Sequence, residues 1–103
     1  MTMTAEHSER AANGALKLWV HHESSRVIFR QCADIIVEQF GAEGRDRLDG
    51  GDQLFWDYMA SELPFTLHLE RGVGISVIAG ELTPACETLV RRIAEVLASR
   101  VAA

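Results

Sequence analysis

Apolar and polar residues alternate between Leu54 and Ala79, and turn residues interrupt the alternation twice. This pattern predicts a meander of three antiparallel strands joined by two tight turns. In the second hairpin, a three-residue loop over 70–72 places Gly72 at the left-handed loop position and pairs apolar residues with one another. The expected pairs are Leu69 with Val73, Leu67 with Ile75, and Phe65 with Val77.

The first hairpin is expected to turn through a two-residue loop at Ser61 and Glu62. A three-residue loop would place Asp57 on the core face, where an unpaired carboxylate is costly. The expected pairs are Tyr58 with Phe65, Asp57 with Thr66, Trp56 with Leu67, and Phe55 with His68. The alternative interpretation is a helix capped by Asp52, because Phe55, Tyr58, Met59 and Glu62 also have helical spacing.

The segments on either side supply one further strand and two helices. Residues 15–22 alternate and predict a half-buried strand. An apolar stripe running to Phe40 predicts a helix that begins after a Ser24 or Ser25 cap and stops at Gly41. A second stripe predicts a last helix with Thr83 as its cap and Pro84 in its first turn.

The element order is therefore expected to be β-α-β-β-β-α. Each helix has a single apolar stripe, so each is expected to cover one surface only. The fold class is α+β: a two-layer sandwich in which both helices lie on one face of a mostly antiparallel four-stranded sheet. Residues 1–13 are polar and are predicted to be a disordered tail, residues 14–103 a single domain, and residues 42–52 a loop.

Amino-acid composition restricts the class of binding partner more than it restricts the class of reaction. The chain has 103 residues, a net charge of −5 and 48% apolar residues. An acidic chain argues against nucleic acid and anionic membranes, and mildly favours a basic protein partner. The first 12 residues lack the apolar core of a signal peptide, and no apolar run is long enough to span a membrane, so a cytoplasmic location is expected.

Two cysteines, Cys32 and Cys86, lie within apolar helical patterns and are expected to be buried, reduced thiols. The aspartates of 42–52 lack the order of a calcium-binding loop. There is no nucleophile motif, phosphate loop or metal-ligand spacing, so no catalytic residue, metal or cofactor is predicted.

Two helices on one face leave the other face of the sheet uncovered. The side chains predicted on this face include large apolar residues as well as polar ones, and such a mixture is typical of an interface. The residues predicted to bind a partner are Trp19, His21, Phe55, Asp57, Met59, His68 and Ile78; Lys17, Thr66 and Ser76 are expected beside them. The alternative is that the tail or the 42–52 loop folds over this face.

The central segments resemble a family of small uncharacterised bacterial proteins. The runs that carry the resemblance are Phe55-Trp56-Asp57-Tyr58, Thr66-Leu67-His68-Leu69-Glu70 and Gly74-Ile75-Ser76-Val77. The resemblance implies a bacterial origin and a strand, not a helix, over 54–60. It implies no activity.

The sequence thus favours a protein that acts by binding another protein, either a second copy of itself or a basic partner that it inhibits in the manner of an immunity protein. A small enzyme or metal-binding protein that uses His21, Asp57 and His68 is the alternative, because two imidazoles and a carboxylate serve both metal sites and acid–base catalysis.

Overall fold

Eight secondary-structure elements follow one another in a computed structural model, which describes residues 7–101. They are β1 (His7–Arg10), β2 (Leu16–His21), α1 (Arg26–Phe40), β3 (Glu43–Asp49), β4 (Gln53–Ala60), β5 (Leu63–Glu70), β6 (Gly74–Ala79) and α2 (Pro84–Val101). The strands form one six-stranded sheet in the order β1-β2-β6-β5-β4-β3. Every neighbouring pair is antiparallel.

The general class of the prediction, α+β with an antiparallel sheet, is confirmed, but the strand number and the element order were wrong. The predicted loop 42–52 contains β3, and the predicted tail 1–13 contains β1; the rest of that tail, residues 1–6, lies outside the described residues. Both added strands lie at the edges of the sheet. All seven residues of β3 are exposed, so no apolar alternation marks this strand in the sequence.

The hairpin between β4 and β5 has the predicted register, and the helical alternative for this segment was wrong. Tyr58 pairs with Phe65, Asp57 with Thr66, Trp56 with Leu67, and Phe55 with His68. Ser61 and Glu62 both have positive φ angles, of 51° and 63°. This is the backbone of a type I′ turn, whose twist matches that of the two strands.

The hairpin between β5 and β6 differs from its predicted register by two residues. Leu69 pairs with Ile75, Leu67 with Val77, and Phe65 with Ala79, so Arg71, Gly72 and Val73 form the loop. The reason lies in the adjacent strand β2.

A Cβ atom added to Gly74 would lie 2.1 Å from the carbonyl oxygen of His21, and Gly74 has a φ of 141°. The end of β2 therefore requires a glycine at the start of β6, and the side chain of Val73 is left in the loop, exposed. A shift of two residues keeps each side chain on its predicted face.

Both helices begin as predicted, and α1 also ends as predicted. The Ser25 hydroxyl accepts the backbone N–H of Ile28 at the start of α1, and Gly41 adopts the left-handed conformation after it. The Thr83 hydroxyl accepts the backbone N–H of Cys86, with Pro84 in the first turn of α2. These contacts satisfy backbone groups that helix ends leave unpaired.

The core lies between the two helices and one face of the sheet. Phe29 of α1 packs edge-on against Trp56 of β4, with ring centroids 4.8 Å apart. Cys32 and Cys86 are buried free thiols, as predicted, and burial raises the pKa of Cys32 to about 12. None of the helices within residues 7–101 has the length and hydropathy needed to cross a membrane.

Candidate functional site

The face of the sheet opposite the helices is called the open face, and strand pairing fixes its members. One row of paired residues crosses it from β2 to β3: Trp19, Ser76, His68, Phe55 and Leu48. A second row runs beside the first and consists of Glu9, Lys17, Ile78, Thr66 and Asp57. Met59, next along β4, pairs with Glu43 of β3 and Pro64 of β5. Six of the seven predicted binding residues therefore share this face.

His68 lies at the centre of the first row and is only 2% exposed. Its Nε2 lies 2.8 Å from Oε1 of Gln53, and its Nδ1 lies 3.2 Å from Oγ of Ser76. The Phe55 ring stacks on the imidazole, with centroids 4.4 Å apart. A neutral ring that donates from Nε2 and accepts at Nδ1 satisfies both bonds.

The environment of His68 also keeps the imidazole uncharged. Burial, and to a smaller extent the positive charge of Lys17, lower the pKa of His68 to about 4. Because both ring nitrogens are occupied by protein partners, the imidazole is held as a structural group between Phe55 and Ser76.

Trp19 is less accessible than the sequence suggested. It is 6% exposed, and its indole N–H donates to a carboxylate oxygen of Glu9 in β1. The ammonium of Lys17 lies over its ring, 4.4 Å from the centroid. Such a contact is a cation–π interaction, which orients the lysine head along the open face.

Asp57 and Thr66 form a cross-strand pair in the second row. The Thr66 hydroxyl donates to Oδ1 of Asp57 at 2.7 Å. The carboxylate is partly exposed, and no arginine or lysine within residues 7–101 forms an ion pair with it. The row therefore has the Glu9 carboxylate and the Lys17 ammonium side by side at one end and the Asp57 carboxylate at the other, with Ile78 and Thr66 between.

The exposed apolar part of the open face lies on β3, β4 and β6. Phe55, Met59 and Ile78 are partly exposed, and Leu48 is 62% exposed. Leu48 pairs with Phe55, so the two side chains share the face. Leu48 was not predicted to lie on this face because residues 42–52 were expected to form a loop. The signal in the sequence was a single leucine within a charged segment.

His21, the seventh predicted residue, lies apart from His68. The pairing of β2 with β6 is irregular between Trp19 and His21, which places His21 opposite Ile75. Its ring is buried, stacks on His22 and accepts the backbone N–H of Glu23 at Nδ1. Within residues 7–101, no three His, Cys, Asp or Glu side chains are grouped so that they could hold a metal ion.

Comparison of the chain with protein-family models, with curated proteins and with solved structures finds no significant match.

Proposed function

We propose that this protein acts by binding another protein through the open face. The observation that carries the proposal is that the partly exposed Phe55, Met59 and Ile78 and the exposed Leu48 all lie on the side of the sheet that the helices leave uncovered. An antiparallel sheet with one solvated face is normally polar on that face. Apolar side chains gathered there favour an interface.

The residue types also fit a protein interface. Phenylalanine and methionine are enriched where partners bury surface. Lys17 and Asp57 lie on the same face, separated by Ile78 and Thr66, and supply charges of opposite sign. The hydrogen-bonded centre of the face, His68 with Ser76 and Gln53, gives a rigid support beneath Phe55. A rigid surface loses little conformational entropy on binding.

The enzyme alternative has weaker support. His68 has a protein partner at each ring nitrogen, and His21 is separated from it by the irregularity in β2. A general base has to be within hydrogen-bond reach of its substrate, and a buried imidazole with both nitrogens in use does not meet that condition.

A photo-crosslinking amino acid at position 48 tests the proposal. Leu48 is on the open face, and Val27, 68% exposed on α1, provides a matched control on another surface. In the cells that make the protein, we expect a discrete covalent adduct with one protein species from position 48 and none from position 27. Mass spectrometry identifies that species, including a second copy of the chain.

No adduct from position 48, or the same adducts from both positions, would contradict binding through the open face. Both labelled proteins must melt within a few degrees of the native chain. This condition is realistic because surface substitutions usually change the free energy of unfolding by less than about 0.5 kcal/mol.

A further inference from the structure

We infer that the partner of the open face is a second copy of this chain, packed face to face about a two-fold axis that runs along the strands between β5 and β6. This inference rests on the proposed function, because it uses the same face. Most soluble homo-oligomers are two-fold dimers with one self-complementary patch.

The strand order makes the open face self-complementary about that axis. In the order β1-β2-β6-β5-β4-β3, the midline lies between β6 and β5. A two-fold rotation about a line in the interface, parallel to the strands, places β2 over β4 of the second copy and β6 over β5. The second row then sets Lys17 over Asp57 of the second copy, and its Asp57 over Lys17.

The spacing of the strands is compatible with a contact between Lys17 and Asp57 of the second copy. Lys17 and Asp57 are each one and a half strand spacings from the midline, about 7 Å for strands about 4.8 Å apart. Sheets that pack face to face cross at about 30°, so the two-fold axis lies midway between the strand directions of the two copies. This crossing displaces the two side chains by about 4 Å relative to a parallel stack. A lysine side chain spans this offset. The symmetric pair is formed twice in one dimer.

The apolar residues agree with the same arrangement. In the first row, Trp19 lies opposite Phe55 of the second copy, and the Lys17 ammonium lies over the Trp19 ring. Ile78 of each copy lies near the axis, beside Thr66 of the other. Ile78 and Thr66 thus face each other nearest the axis, and the two charge pairs lie one strand further out on either side of it.

The face is large enough for a dimer. Six strands about 4.8 Å apart and about six residues long give a surface of about 24 Å by 20 Å, so two copies bury about 1,000 Å² before the relief of the side chains is counted. A specific interface needs about that area. The net charge of −5 opposes association in general, so a contact between two copies requires the local match of Lys17 with Asp57.

A charge exchange tests the pairing. In Lys17→Asp, two aspartates face each other twice in the dimer; in Asp57→Lys, two lysines do. Each variant alone is expected to be a monomer at concentrations where the native chain is a dimer. An equimolar mixture of the two variants restores both opposite-charge contacts, so it is expected to form a mixed dimer. Sedimentation velocity over a concentration series measures all four samples.

Arg92→Asp, an exposed change of the same kind on α2, is the matched control and is expected to remain a dimer. Lys17→Gln covers the case in which Lys17→Asp unfolds, since glutamine keeps a long side chain over Trp19. Lys17→Gln removes the attraction between position 17 and Asp57 of the second copy without adding a like-charge contact. We expect a dissociation constant of the dimer about 10-fold above the native value.

Three outcomes would overturn the inference: a native chain that stays monomeric at all concentrations, single variants that remain dimers, or a mixture that does not associate. A monomeric native chain together with an adduct from position 48 to a different protein would refute self-association and leave binding through the open face intact. No adduct from that position would refute both.

Discussion

His68 is a titratable side chain that the fold holds neutral. Burial, and then the charge of Lys17, lower its pKa to about 4, whereas a histidine in an unfolded chain titrates near 6.5. Between these values the unfolded state binds more protons than the folded state, so the free energy of unfolding falls as the pH falls. The contribution is complete above about pH 6.5 and is lost towards pH 4.

We therefore predict a steeper acid dependence of stability in the native chain than in His68→Gln. From pH 6 to pH 5, the free energy of unfolding should decrease by about 1 kcal/mol more in the native chain, because a full proton difference is worth about 1.4 kcal/mol per pH unit. Urea denaturation at each pH measures this. His22→Gln, which removes a histidine with a largely exposed side chain, serves as the matched control. Equal slopes for the native chain and His68→Gln would mean that His68 is not held neutral.

The residues of the open face could be assigned from the sequence because a strand has a side-chain period of two. The shift of the β5–β6 register by two residues left Ser76 and Ile78 on the face where they were predicted. Burial could not be assigned in the same way. The low exposure of Trp19 arises from contacts with Lys17 and Glu9, and Glu9 belongs to a strand that the sequence pattern did not predict.

At the scale of elements, the sequence predicts the helices and strands that bury one side in the core. The helices and β4 have apolar periodicity because each buries one side, and they were found. The edge strands β1 and β3 were missed because most of their residues are polar, because every residue of β3 is exposed, and because backbone pairing with one neighbour leaves no trace in hydrophobicity. The start of β6 was predicted at the wrong residue because the group that requires a glycine there, the carbonyl of His21, is distant in sequence from Gly74.

The junction of β2 and β6 should be intolerant of any side chain at position 74. Gly74→Ala would place a methyl group against the His21 carbonyl oxygen and force a φ of 141° on an L residue. We expect a loss of about 3 kcal/mol or more in the free energy of unfolding. Gly44→Ala, in β3, meets no atom within 4 Å and should change stability by less than about 1 kcal/mol. Urea denaturation of both variants measures the difference; similar values would contradict the close approach of β2 and β6.

At the scale of the whole molecule, self-association links stability to concentration. Whatever binds the folded state alone stabilises it, so a dimer melts at a higher temperature as its concentration rises. We predict an increase of about 3 °C in melting temperature for each tenfold increase in concentration of the native chain. Lys17→Asp should melt at one temperature across the same range, as should Asp57→Lys. A native melting temperature independent of concentration would contradict the dimer.

The two edges of the sheet determine how far such an assembly can grow. At one edge, β1 is four residues long and is fastened to α2 by the ion pair between Arg10 and Glu87. At the other edge, β3 has charged residues and an irregularity between Gly44 and Arg47. Short, charged or bulged edges discourage a further strand from joining. Within residues 7–101, neither edge of the sheet therefore favours the addition of a further strand, and a dimer formed through the open face would not grow into a fibre by pairing of sheet edges.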